Sequence, residues 1–123
     1  MVLKRTMIAI ALLSMLAGPA LAQPRQFIVF FGTGSAHLGK NGRAVVARAA
    51  AAAREQSGAK LVVAGYGDGE TVADAALGDR RATAVAQALV KAGVDQSRID
   101  RHPGVAEAKG AGMPVHKVTV TVQ

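Results

Sequence analysis

Residues 60–93 read KLVVAGYGDGETVADAALGDRRATAVAQALVKAG, and this stretch decides the fold. Residues 60–66 form a largely apolar run that predicts a buried strand. The glycines that follow break the strand. The remainder predicts a helix that begins at Asp74 or Asp79 as its cap and ends before Gly93, at a position where glycine adopts the left-handed conformation at low cost. A strand followed at once by a helix indicates a domain in which helices cover a sheet.

The residues on the amino-terminal side repeat this pattern. Residues 26–31 are aromatic and β-branched, and they predict a buried strand that we expect at the centre of the sheet. After a turn at 32–35, residues 40–56 predict an amphipathic helix whose apolar face consists of valine and alanine. A small helix of this kind packs closely against a sheet.

The carboxyl-terminal side completes the predicted fold. Residues 98–101 predict a short strand, 102–114 a loop rich in glycine and alanine, and the last residues a strand in which Val118, Val120 and Val122 alternate with polar residues and leave one face wet. The predicted order is therefore β-α-β-α-β-β. The predicted fold class is α+β, a two-layer sandwich with two helices packed on one side of a small mixed sheet.

Residues 1–22 have the features of a cleaved secretory signal. Lys4 and Arg5 precede an apolar stretch, and the segment ends in a small-x-small pattern at Ala22. The apolar stretch is shorter than the roughly 20 residues of a membrane anchor. Because no cysteine follows the predicted cleavage site, we also expect no lipid anchor. The sequence therefore predicts an exported domain at 23–123 with no membrane segment after cleavage.

Composition limits the classes of function that are open to this domain. The 123 residues include no cysteine, which excludes a structural zinc site, a disulfide framework and a thiol nucleophile. Without Lys4 and Arg5, the chain keeps 13 basic and 8 acidic side chains, a formal charge of +5 that favours anionic polymers or surfaces. Nucleic-acid binding is not expected, because the basic residues are not interleaved with aromatic residues that stack on bases.

Two patterns that suggest catalysis or a cofactor lack necessary parts. Residues 34–41 lie between a strand and a helix and nearly spell a phosphate-binding loop, but Asn41 stands where a Ser or Thr holds magnesium. The three histidines, His37, His102 and His116, show no spacing typical of a metal site or a catalytic triad. We therefore predict no enzyme activity, no metal and no cofactor.

Arg81 is the residue that most needs a partner. On a helical wheel it lies about 40° from Leu77 and on the same side as Val85, within the apolar face of the second helix. It is also expected near the helix start, where the dipole mildly disfavours a cation. A buried unpaired guanidinium is costly. Asp68, in the turn after the second strand, is the nearest candidate partner, so the two form either an internal ion pair or a crevice for a zwitterionic ligand.

The motifs around these residues resemble the OmpA-like peptidoglycan-binding domain family. The family pattern is Gly-His/Tyr-Thr-Asp, then Asn-x-x-Leu-Ser-x-x-Arg-Ala-x-x-Val-x-x-x-Leu, and this sequence has GYGD at 65–68 and LGDRRATAV at 77–85. GVDQSRI at 93–99 and GVAE at 104–107 are similar to later motifs of the family. The resemblance covers residues 26–122 and implies the element order predicted above.

The resemblance implies a non-catalytic periplasmic domain of the cell envelope, associated with the outer membrane, that binds peptidoglycan through the diaminopimelate residue of the stem peptide. The motif Asp meets the ammonium of that residue and the motif Arg its carboxylate, and these roles fall on Asp68 and Arg81. Gly67 and Asp74 stand at the motif Thr and Asn of the same ligand-binding site. An envelope protein is a further possible partner.

The sequence departs from the family pattern at several of these positions. Gly67, Asp74 and Gly78 replace Thr, Asn and Ser, and the closing Asn-Arg-Arg-Val of the family appears as VHKV at 115–118. Each replacement changes a hydrogen-bonding or positioning group of the pocket. A second interpretation therefore stays open, in which the chain is a degenerate scaffold that contacts a protein partner and does not bind the wall.

Overall fold

The computed structural model describes residues 24–104 and 116–123. The predicted signal at 1–22 and most of the predicted loop at 102–114 lie outside the described residues. The elements are β1 (Arg25–Phe30), α1 (Lys40–Glu55), β2 (Leu61–Gly65), α2 (Val72–Lys91), a short 3-10 helix (Gln96–Arg98), β3 (Ile99–Pro103) and β4 (Lys117–Val122). Within this part of the chain, neither α-helix is both long and apolar enough to cross a membrane.

The four strands form one mixed sheet in the order β1-β4-β2-β3. Strand β4 runs antiparallel to both of its neighbours, whereas β2 and β3 are parallel and are connected through α2. The helices pack on one face of the sheet, which confirms the predicted α+β sandwich.

The prediction that β1 is the central strand is wrong. Strand β1 lies at one edge, and the terminal strand β4 pairs on both sides. The aromatic and β-branched residues of β1 are therefore not all buried, and the strand is covered on one face only. Val29 is buried under the helices, but Ile28 and Phe30 point to the open face and are 37% and 61% exposed.

The wet face predicted for β4 is only partly present. Val118, Val120 and Val122 are buried, as their alternation predicts. Thr119 points to the opposite face and is nevertheless buried, because it lies between Ile28 of β1 and Ala64 of β2. A strand with neighbours on both sides has its short side chains covered by those neighbours even where no second layer lies above them.

Helix α2 begins earlier than predicted. Thr71 is its N-cap: its hydroxyl accepts from the N–H of Asp74 at 3.1 Å, and the Asp74 carboxylate accepts from the N–H of Thr71 at 3.0 Å. This reciprocal capping box shows that neither Asp74 nor Asp79 is the cap. The earlier start places Arg81 in the middle of the helix, so the expected dipole penalty does not apply. The predicted helix end is confirmed by Gly93, which has a φ of 102°.

Two glycines set how closely α2 approaches the end of β2. A Cβ atom on Gly65 would lie 2.0 Å from the carbonyl oxygen of Gly78, and one on Gly78 would lie 2.8 Å from the carbonyl oxygen of Gly65. The two backbones are therefore in contact. Gly78, which stands at the motif Ser of the family pattern, is a packing residue in this chain.

Candidate functional site

The side chain of Arg81 is fully buried where the loop after β1 meets the loop after β2. Its Nε donates to the carbonyl of Ser35 at 2.7 Å, its Nη1 to the carbonyl of Tyr66 at 2.8 Å, and its Nη2 to the carbonyl of Gly32 at 2.9 Å. The ring of Phe31 lies 5.5 Å from the guanidinium carbon. The guanidinium therefore ties the two loops together from inside the domain.

Asp68 is the fourth hydrogen-bond acceptor of this guanidinium. Its Oδ1 accepts from Arg81 Nη2 at 2.8 Å and lies 2.6 Å from Nδ1 of His116. Its Oδ2 accepts from the N–H of Gly34 at 2.6 Å. The side chain of Asp68 remains 19% exposed. The ion pair is thus closed and has one exposed edge, at the carboxylate rather than at the guanidinium.

These contacts favour the charged form of Asp68. The hydrogen bond with His116 and then that from Arg81 are the largest causes that lower the pKa of Asp68 from 3.8 to about 2. The carboxyl group is therefore ionised at neutral pH. It can attract a cation, but it has no proton to donate as a general acid.

We expect the contribution of Asp68 to stability to be lost only in strong acid. Because its folded pKa of about 2 lies below the ordinary value of 3.8, the contribution is present above that ordinary value and is lost as the pH falls through the folded pKa. His116→Ala removes the largest cause, so the pKa of Asp68 should rise toward 3.8 and the loss should be complete at a higher pH. Titration of the Asp68 carboxyl carbon by NMR measures this shift.

The matched control for this titration is His102→Ala. His102 is exposed on β3 and, among the described residues, makes no hydrogen bond with Asp68. The control should leave the titration of Asp68 unchanged. An Asp68 titration that is the same in His116→Ala as in the unaltered protein would contradict the contact as the cause of the low pKa.

The other two predicted site residues, Gly67 and Asp74, contact each other beside this ion pair. A Cβ atom on Gly67 would lie 2.0 Å from the carbonyl oxygen of Asp74, so glycine is required by the close approach of the loop to the first turn of α2. The carboxylate of Asp74 accepts from the hydroxyl of Thr71 at 2.7 Å, and this hydrogen bond is the largest cause that lowers the pKa of Asp74. Among the described hydrogen bonds, Asp74 makes none with Arg81.

Gly67 and Asp74 also line a groove of about 310 Å³ between the loop after β2, the start of α2 and the end of β3. Glu70 lies at the same groove and is exposed. Among the described residues that line it, both charged side chains are carboxylates. The groove therefore suits an ammonium group and offers no cation for a carboxylate.

Comparison with known proteins identifies the family. The model of the OmpA family matches residues 30–121, a range that includes both loops, Asp68 and Arg81. This chain belongs to the OmpA family. No curated protein sequence matches it at a significant level.

Solved structures of OmpA-like domains have the same fold as this OmpA-family chain. The OmpA-like domain of FopA1 from Francisella tularensis subsp. tularensis SCHU S4 has a TM-score of 0.70 at 18% identity, over 81% of this chain and 75% of that one. For the peptidoglycan-associated lipoprotein from Burkholderia pseudomallei the TM-score is 0.66 at 21% identity, over 79% of this chain and 90% of that one. The periplasmic domain of Helicobacter pylori MotB gives 0.65 at 15% identity, over 85% and 76% of the two chains.

His116 is the residue of this OmpA-family site that the sequence prediction did not assign. His37, in the loop before α1, and His102, on β3, are exposed, whereas His116 contacts the carboxylate of Asp68. Its position directly before the last strand was the available signal, since the family pattern places a basic residue there. The contact joins residues 48 positions apart, which no local spacing reveals.

The described geometry of this OmpA-family site places a fixed cation against a fixed anion. The guanidinium makes four hydrogen bonds to protein oxygens, and the carboxylate of Asp68 is ionised. Among the residues that the structure describes, no group of three His, Asp or Glu side chains is placed to hold a metal ion. The chemistry that this site supports is electrostatic recognition of a cationic group at Asp68.

Proposed function

We propose that this domain binds peptidoglycan without catalysis, through the loop between β2 and α2. Membership of the OmpA family supports the proposal, and one structural relative is by its name a peptidoglycan-associated lipoprotein. The observation that carries it is the ionised carboxylate of Asp68, which Arg81, His116 and the N–H of Gly34 hold in place and which remains 19% exposed. A rigid carboxylate with one accessible edge binds a cation without first having to be ordered.

The diaminopimelate residue of the stem peptide supplies the cation in this proposal. Its ammonium is the group that Asp68 and the adjoining groove with Gly67, Asp74 and Glu70 suit. Arg81 acts here as a positioning residue, since all four acceptors of its guanidinium belong to the protein and its side chain has no exposed surface. Direct contact between Arg81 and the ligand carboxylate requires the two loops to open, because the Arg81 side chain is fully buried.

The proposal includes the periplasm as the place of action. The predicted signal at 1–22 directs export of the domain at 23–123 without a lipid anchor. The formal charge of +5 on that domain favours its encounter with an anionic polymer such as the wall. Many weak sites along such a polymer retain the protein even where a single site binds weakly.

An NMR titration with a soluble muropeptide that contains diaminopimelate tests the proposal. At millimolar ligand we expect amide shifts at Gly67, Asp68 and Glu70, because Gly67 and Glu70 line the groove and Asp68 carries the partly exposed carboxylate. The matched control ligand is the same muropeptide with the diaminopimelate ammonium acetylated, which should produce no shifts at the loop. Shifts that are equal for the two ligands would contradict recognition of the ammonium.

A matched pair of variants gives the same test on the protein. Glu70→Gln removes an exposed charge at the groove and is expected to weaken muropeptide binding by about two- to fivefold. Asp100→Asn removes an exposed charge on β3 and should leave the affinity unchanged. Equal affinities of the two variants would contradict the placement of the ligand at this loop.

The burial of Arg81 favours a second candidate function, a scaffold that contacts an envelope protein and does not bind the wall. The guanidinium is satisfied without any ligand, so the pair with Asp68 is sufficient as an internal ion pair that completes the domain. On this alternative, the muropeptide produces no shifts at millimolar concentration. The protein would also fail to sediment with purified sacculi.

A further inference from the structure

The face of the sheet that the helices leave open carries three neighbouring side chains that the proposed function does not use. Phe30 on β1 pairs in register with Lys117 on β4, and the N–H of Tyr66, just after β2, donates to the Lys117 carbonyl. Residues opposite each other on adjacent strands point to the same face. Phe30, Lys117 and Tyr66 therefore form a row across three strands, here named the aromatic row.

The aromatic row combines exposed ring surface with a positive charge. Phe30 is 61% exposed, and the Lys117 ammonium lies 5.1 Å from the centroid of the Tyr66 ring. At the usual strand spacing, Phe30 and Tyr66 are about 10 Å apart, with the lysine between them. Ile28, 37% exposed, extends the apolar surface along β1. Exposed aromatic surface beside a cation is typical of a binding surface.

Among the residues that the structure describes, no carboxylate forms an ion pair with Lys117. Asp100 of β3 points to this face but pairs with Val62, four residues before Tyr66 along β2. Asp68, two residues after Tyr66, forms its ion pairs with Arg81 and His116, and it forms none with Lys117. The ammonium of Lys117 therefore remains available to an anionic group of a ligand.

The row adjoins the proposed ligand site through the chain itself. The Tyr66 carbonyl accepts from Arg81, and Asp68 follows two residues later. Lys117 directly follows His116, which contacts the carboxylate of Asp68. A polymer whose peptide is held at Asp68 thus has its next segment close to the row.

We infer that the aromatic row is a subsite for the glycan strand of peptidoglycan, an inference that rests on the proposed function. The faces of a hexosamine ring carry C–H groups, which match the exposed ring of Phe30. The carboxylate of a muramic acid residue that has lost its stem peptide complements the charge of Lys117. The domain then recognises the wall at two places, the peptide at the loop after β2 and the glycan on the open face of the sheet.

Denuded glycan strands, prepared by amidase removal of the stem peptides, test this subsite apart from the peptide site. The unaltered protein should bind short soluble strands, and Phe30→Ala and Lys117→Gln should each bind about fivefold more weakly. Both changes remove only exposed or half-exposed side chains, and thermal midpoints check that the variants fold. Val90→Ala and Lys91→Gln are the matched controls, because these exposed residues lie on α2, away from the open face.

The glycan-binding assay and the muropeptide titration together distinguish failure of this inference from failure of the proposed function. Weaker glycan binding by both row variants, with both controls unchanged, supports the subsite even if the muropeptide titration shows no shifts at the loop. Shifts at the loop together with glycan binding that Phe30→Ala leaves unchanged overturn the subsite and leave the proposed function standing. A loss in Lys117→Gln that Lys91→Gln reproduces also overturns it, because the binding is then unspecific attraction to positive charge.

Discussion

Replacing Arg81 by methionine is expected to lower the free energy of unfolding by about 3–5 kcal/mol, the range typical of removing one partner from a buried ion pair. Methionine keeps the length and the helix propensity of the side chain but donates no hydrogen bond. Four protein oxygens lose a donor at once: the carbonyls of Gly32, Ser35 and Tyr66 and the carboxylate of Asp68. For a small domain this is a large part of a total stability of about 5–15 kcal/mol.

Urea denaturation followed by circular dichroism measures this loss, with Arg80→Met as the matched control. Arg80 is the adjacent arginine of the same helix, and it is exposed. Its replacement should change the free energy of unfolding by less than about 0.5 kcal/mol. The free energy of unfolding of Arg81→Lys should lie between those of Arg81→Met and Arg80→Met. An ammonium keeps the charge but cannot reach several acceptors in different directions. If Arg81→Met is no less stable than Arg80→Met, the guanidinium does not hold the loops together.

Much of this ion pair was predictable from the sequence, because its causes are local. The 3.6-residue period of α2 places Arg81 on the same side as Leu77 and Val85, and all three are buried. A buried guanidinium requires an acceptor, and the break after β2 supplies Asp68 nearby along the chain. Of the two arrangements that the sequence left open, an internal pair and an empty crevice, the structure has the closed pair, with Asp68 at its exposed edge.

What the sequence did not reveal depends on contacts between distant segments. The order of strands is one case: β4 lies between β1 and β2, and nothing in the pattern of β1 distinguishes an edge strand from a central one. The partners of Arg81 are a second case. Three of them are backbone carbonyls. Because every residue has a backbone carbonyl, no sequence motif can identify these acceptors.

Gly65→Ala is expected to cost about 3 kcal/mol, the upper part of the usual range for overpacking. The added Cβ would lie 2.0 Å from the carbonyl oxygen of Gly78 and 2.9 Å from the Cβ of Ala82, so either the strand or the helix must move. Strand β2 is held by neighbours on both sides. Helix α2 is held by Arg81, whose acceptor Tyr66 directly follows the substituted residue. Relief of the clash therefore stretches the hydrogen bonds of the ion pair.

Gly39→Ala is the matched control for this substitution. A Cβ atom on Gly39 would have no neighbour within 4 Å, and its φ of −79° is open to any residue, so the cost should stay below about 1 kcal/mol. Denaturation midpoints of the two variants measure the difference. In Gly65→Ala the pKa of Asp68 should also rise, because the guanidinium withdraws from the carboxylate. A large loss of stability with an unchanged Asp68 titration would show that the helix crossing and the ion pair are independent, contrary to the coupling argued here.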